Sequence, residues 1–156
     1  MVRKATIDDI SAIAELYREQ FKEMSKLIPD FIKEGDQSIE FLEKTISNDD
    51  SDILVYENCG SVVGFILLQA KQRPDFQFIV SGKHCFIMDL IVTENQRGKG
   101  FGTALMNSAK NWAKVHNCNI VSLDVLSNNP KAIDLYEKLG FIPKAQEMYF
   151  RIECEK

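Results

Sequence analysis

The sequence is poor in cysteine, has no long apolar run and carries no surplus of positive charge, and each shortage closes a class of function. Cys59, Cys85, Cys118 and Cys154 lie 26 to 36 positions apart without a C-x-x-C pair. That spacing offers no zinc or dithiol redox motif, and free thiols are expected. No stretch approaches the roughly 18 apolar residues of a membrane-spanning helix. The opening residues Met1 to Asp9 also lack the apolar core of a signal peptide, so a cytoplasmic protein with no membrane partner is expected. With 19 Lys and Arg against 23 Asp and Glu, the net charge is −4, which supplies no basic excess for a phosphate backbone. Nucleic acid is therefore not an expected partner. Repeats and linkers are absent too, and 156 residues against about 150 per domain predict one domain spanning 1–156. At 45% apolar and 27% charged residues the composition is that of an ordinary globular chain.

The hydrophobic period changes along the chain and marks the elements. Ile10, Ile13, Ala14, Tyr17, Phe21 and Met24 repeat with helical spacing, behind a Thr6/Asp9 pair that resembles a capping box. A shorter helix is predicted around Ile39 to Ile46. The segments 53–57 and 62–72 flank Asn58, Cys59, Gly60 and Ser61 and read as a hairpin. Residues 85–92 form a nearly continuous apolar strand interrupted by Asp89. A helix follows through Phe101, Leu105, Ala109 and Trp112, then a strand over 119–126. Asn129 as N-cap, Pro130 at the first helical position and Gly140 past the end delimit another helix. A last strand is predicted near 147–153. The order describes an α/β (α+β) fold: a mixed central β-sheet with flanking helices and a strand, helix, strand crossover in its later half.

Ligand sites in such sheets form where the carboxyl end of a strand meets the N-terminus of the next helix. After Val92 the chain runs through Thr93 to Gln96 into Arg97-Gly98-Lys99-Gly100-Phe101-Gly102-Thr103. Three alternating glycines let the backbone close around a compact anion, and Arg97 and Lys99 add positive charge. A pyrophosphate has that size and charge. A dinucleotide fingerprint would need glycine where Thr103 stands, and the G-x-x-x-x-G-K-S/T loop is absent.

The segment Arg97 to Gly102 resembles the R-x-x-G-x-G signature of the GNAT superfamily of acyl-CoA-dependent N-acyltransferases. Asn129 to Phe141 is similar to that family's N-x-x-A-x-x-x-Y-x-x-x-G-F segment. The resemblance implies a splayed strand whose Leu90, Ile91 and Val92 pair by backbone with the pantetheine arm of acetyl-CoA (coenzyme A as acyl donor). Gly98, Gly100, Gly102 and Thr103, with Arg97 and Lys99, would wrap the pyrophosphate, and Asn129 would touch the pantetheine arm. Tyr136 would protonate the departing thiolate. On sequence grounds alone Tyr136 also reads as a core aromatic and Asn129 as a helix cap.

Acetyl transfer needs a neutral amine, and a lysine of pKa about 10.4 lies some 3.4 units too high at pH 7, a penalty of about 4.6 kcal/mol. The strand positions where some family members carry a glutamate hold Phe86 and Met88. Asp124, 12 residues before Tyr136, takes the place of an acidic base in the branch resembling ribosomal-protein alanine N-acetyltransferases. It also reads as an outward-facing acid on a half-exposed strand. Asp89 reads equally as a structural carboxylate. His84 and His116 fall at a loop-to-strand junction and a helix end. The implied activity is direct acetyl transfer to a primary amine, the alternative being a non-catalytic acyl-CoA-binding module of the same fold. The acceptor (protein N-terminus, lysine, polyamine or small amine) and the formation of a homodimer stay open at this stage.

Overall fold

The computed structural model describes residues 1–153; Cys154, expected as a free thiol, lies outside the described residues. Five strands form one sheet in chain order: β1 (Val2–Lys4), β2 (Ser51–Asn58), β3 (Ser61–Gln72), β4 (Lys83–Val92) and β5 (Cys118–Leu123). The first four pair antiparallel, and β4 with β5 parallel. The β2–β3 hairpin closes through Cys59 and Gly60, both at positive φ (51° and 77°), the conformation a two-residue turn needs to match strand twist.

Alternation along β3 divides the interior in two. Phe65 and Leu67 face α1 (Ile10–Leu27) and α2 (Ile39–Ile46), packing with Ile13, Leu16, Tyr17 and Leu42. Ile66 and Leu68 face α3 (Phe101–Val115), packing with Leu105, Met106, Ala109 and Trp112. Tyr136 of α4 (Pro130–Lys138) and Leu139, just past its end, border this second core. The Trp112 indole donates to Asp52 of β2 at 2.6 Å, pinning the far half of α3 to the sheet.

The Thr6/Asp9 capping box is present and opens a 3₁₀ turn ahead of α1. Arg3 grips Asp9 through two hydrogen bonds of 2.8 and 2.9 Å, and that guanidinium holds the Asp9 carboxyl down at about 2. Three expectations need correction. The short strand β1 was not expected, since three residues carry no legible alternation. The strand predicted over 119–126 ends at Leu123. No strand forms over 147–153, where Met148, Phe150 and Ile152 are exposed. That segment instead lies against the connection after α1, with Tyr149 edge-on to Phe31 at 4.8 Å and Arg151 paired with Asp30 at 2.5 Å.

Candidate functional site

The two ends of β4 are built differently. From Lys83 to Ile87 the strand is paired on both sides, but the ladder to β5 stops at Ile87 opposite Leu123. From there to Val92 only β3 accompanies it. The sheet is open along this stretch, as the resemblance implied. The changeover coincides with a β-bulge: Ile87 pairs with Leu68 and Asp89 with Leu67, leaving Met88 without a partner. One extra residue reverses the facing of everything after it. Cys85 and Ile87 lie in the α3 core, whereas Ile91 lies in the α1 core and Leu90 and Val92 border the α3 side.

Backbone direction follows from the same alternation. The Thr93 N–H donates to Val63 of β3 at 3.0 Å, so the main-chain groups of Ile91 point toward β3 and those of Leu90 and Val92 point into the opening. The Val92 carbonyl accordingly accepts from Arg97 Nε at 2.7 Å on that side. Among the described residues the N–H and C=O of Leu90 have no partner and present an open strand edge.

Beyond β4 the chain enters a cavity of about 360 Å³, bordered by Val92, Arg97, Gly98, Gly100, Gly102 and Thr103 with Leu135 of α4 among its walls. Gly98 and Gly100 take φ of 74° and 82°, and Gly100 caps α3. A Cβ on either would meet nothing within 4 Å, so it is the left-handed backbone that selects glycine there. The Ala104 N–H is the first to find its helical partner, Gly100 O. The N–H groups of Phe101, Gly102 and Thr103 therefore head the helix unpaired, with its positive dipole end behind them. Such an array holds a phosphate without needing a side chain.

The two basic side chains of the loop are engaged within the protein. Arg97 turns away toward α1 and pairs with Glu23 at 2.8 and 3.1 Å, with Glu19 at 3.9 Å. Lys99 Nζ donates to Gln96 at 2.9 Å. The charge read into Arg97 from the sequence is already met by Glu23, 74 residues earlier in the chain, and no local pattern could have announced it. Asn129 caps α4, its Oδ1 accepting from Ala132 N–H at 3.3 Å.

Tyr136 projects from α4 onto the α3-side core near Phe141. Its hydroxyl has no hydrogen-bond partner among the described residues, and burial, then the nearby Asp89 charge, raises its pKa. Asp89, aimed at α1 by the bulge, accepts a 2.7 Å hydrogen bond from Tyr17 Oη. Burial pushes its carboxyl above the usual range, against the opposing pull of hydrogen bonds from Tyr17 and Gln20. The same burial and the Asp89 charge keep Tyr17 firmly protonated. Asp124 is exposed, one residue past the end of β5, without an ion pair or side-chain hydrogen bond among the described residues. His84 opens β4 beside Lys71 and Arg73, which add to burial in lowering its pKa, and His116 stacks on Trp112 at the far end of α3. Phe86 lies under the Lys71 ammonium. The parting of β4 from β5 thus has Leu90 and Val92 on one strand and Asp124, one residue past Leu123, at the end of the other, with the glycine loop beyond and Asp89 near Tyr136, while His116 lies at the far end of α3. On sequence grounds Tyr17, with Phe21, Glu23 and Met24, either lines an acceptor pocket between the first two helices and the splayed strands or belongs to the faces of an amphipathic helix; the structure joins it to Asp89, and Gln20 is the addition.

Comparison with known proteins agrees with this arrangement. The model of the acetyltransferase (GNAT) family matches residues 10–141. The chain is 32% identical over 143 residues to the uncharacterized N-acetyltransferase YhfO of Bacillus subtilis, covering 90% of this chain and 88% of that one. It is 34% identical over 109 residues to an N-alpha-acetyltransferase of Sulfurisphaera tokodaii, covering 65% and 62%. The crystal structure of a mutant BH1408 protein of Bacillus halodurans shares the fold with a TM-score of 0.94 at 22% identity, covering 98% of this chain and 99% of that one. The open strand, the glycine-lined helix start and the extent of the family match together establish that the chain belongs to the acetyltransferase (GNAT) family and is an acyltransferase.

Proposed function

We propose that the protein transfers the acetyl group of acetyl-CoA directly to a primary amine. The observation that carries this reading is the parting of β4 from β5 after Ile87, immediately ahead of the glycine-lined cavity. An amide-bearing arm can add to the edge formed by Leu90 and the Val92 N–H as a further strand would, leaving the diphosphate to the N–H groups of residues 101–103. When bound, acetyl-CoA supplies an activated thioester. The chain supplies the rest: Leu90 N–H polarises the carbonyl, Ile91 fixes the strand from the β3 side, and Tyr136 gives its proton to the thiolate. A raised pKa keeps the Tyr136 phenol protonated at neutral pH, as a proton donor requires. Gly98, Gly100 and Gly102 keep the loop bare, Thr103 lines the cavity, Lys99 braces the loop through Gln96, and Arg97 acts on the loop by tying it to Val92 and to α1. Asn129 sets the start of α4, at the other wall of the opening. A module that only held the thioester would have no use for an uncommitted phenol at this place.

The test is incubation with acetyl-CoA and a panel of primary amines while free thiol is measured. Amine-dependent thiol release is expected, and acetyl-CoA binding without release for any amine would favour the binding-module alternative. An absence of calorimetric binding would overturn both.

A further inference from the structure

The two edges of the sheet are guarded unequally. At one side stands β1, three residues long with Arg3 and Lys4 in it, the short charged strand that keeps an edge from pairing further. At the other stands β5. Its inner edge pairs with β4, and its outer edge has no backbone partner among the described residues. The strand runs Cys118-Asn119-Ile120-Val121-Ser122-Leu123, without a charged residue or a proline. Ile120, opposite His84 in the ladder, is 49% exposed. An edge of this kind accepts another strand.

The chain also carries a strand pattern that its own sheet does not use. Over 147–153, Met148, Phe150 and Ile152 alternate with Glu147, Tyr149, Arg151 and Glu153. The apolar row is 85%, 89% and 82% exposed. Lys144, just ahead, acts on His84 at the foot of β4, whereas Arg151 reaches Asp30 just beyond α1. The last carbonyl of α1, on Leu27, accepts from Asn128, past the carboxyl end of β5. The segment therefore runs in the same direction as β5, and the contacts of Tyr149 with Phe31 and Arg151 with Asp30 hold it beside the sheet rather than in it.

A free edge and an unused strand are complementary halves, and two copies related by a two-fold axis can exchange them. An axis across the strands reverses the second copy's segment, so that it meets β5 antiparallel, the more stable pairing. Charge favours the same orientation. Arriving antiparallel, Glu153 comes to the foot of β5, where Lys71, Arg73 and Lys144 surround His84; arriving parallel, it would lie toward Asp124. Burying three side chains of about 150 Å² from each of two segments, with a matching area on each receiving edge, removes on the order of 1,800 Å² from water, within the roughly 1,200–2,000 Å² of stable interfaces.

We propose that the protein forms a two-fold dimer by strand exchange, residues 147–153 of each copy adding antiparallel to the outer edge of β5 in the other and covering Ile120 with their apolar row. The exchange involves none of the residues assigned to acetyl-CoA, so the dimer and the acetyl transfer stand or fall separately.

Sedimentation equilibrium of the whole protein at micromolar concentration should give twice the chain mass. Phe150→Asp and Ile120→Lys change side chains that are exposed in the single chain, so both variants should fold, with unchanged circular dichroism. Each should raise the dimer Kd about 100-fold, since it places a charge at the centre of the pairing. Mixing the two variants separates exchange from pairing within one chain. The Phe150→Asp copy keeps its edge and the Ile120→Lys copy keeps its segment, so their mixture retains one intact exchanged pair and should regain dimer. A monomeric wild type, a dimer that survives either substitution, or a mixture that stays monomeric would each overturn the exchange.

Discussion

The lower and upper halves of β4 are one strand under two regimes. Below Met88 it is flanked by β3 and β5, and its inward residues Cys85 and Ile87 disappear into the α3 core. Above Met88 it has a neighbour on one side only, reversed facing and a half-buried acid. The lower half stabilises the fold, and the upper half gives up ladder pairing for exposed main chain. A single unpaired residue separates a packing element from the one proposed to meet the cofactor.

Substitutions at four positions sharpen or break that contrast. Ile87→Ala should cost about 3 kcal/mol of stability, as large-to-small changes in a tight core do, and leave the kcat of the folded fraction within twofold, read by denaturant titration alongside turnover. A large loss of kcat would mean that the two halves are not separable. Gly100→Val should weaken acetyl-CoA binding by more than 100-fold in calorimetry, because a β-branched residue resists a φ of 82°. Gly100→Asn, which tolerates that conformation, should recover part of the loss; unchanged affinity in the valine variant would refute the anion loop. Tyr136→Phe should lower turnover by more than tenfold with the acetyl-CoA Kd nearly intact, and full activity would remove the phenol from the mechanism. The smallest effect is on melting. Folding raises the Asp89 pKa, so its ionised form disfavours the folded state once pH climbs above the ordinary aspartate value of about 4. Asp89→Asn should therefore melt a few degrees higher than wild type at pH 7, with the difference vanishing below about pH 4 in calorimetric scans.

What could be read from the sequence follows the range of the forces involved. The glycine loop, the capped α4, the hairpin turn and the helical faces are local patterns, and the structure has all of them where expected. The bulge was not legible, because an unpaired residue exists only relative to a partner strand twenty residues away. Without it the alternation turns Asp89 away from the α1 face, and its contact with Tyr17 cannot be read from the sequence. Arg97 misled for the same reason: its partner Glu23 is remote in the chain. The residues of 147–153 have the alternation of a strand, yet the contacts of Tyr149 with Phe31 and Arg151 with Asp30 hold them elsewhere.

The left-handed torsions of Gly98 and Gly100 carry a stereochemical corollary. A mirror-image residue prefers the torsions that an ordinary one resists, so a semisynthetic chain with D-alanine at position 98 or 100 would adopt the loop without strain and would restrict the denatured chain. A D-alanine chain that outlasts its L-alanine twin on heating would show that these positions select for handedness rather than for smallness.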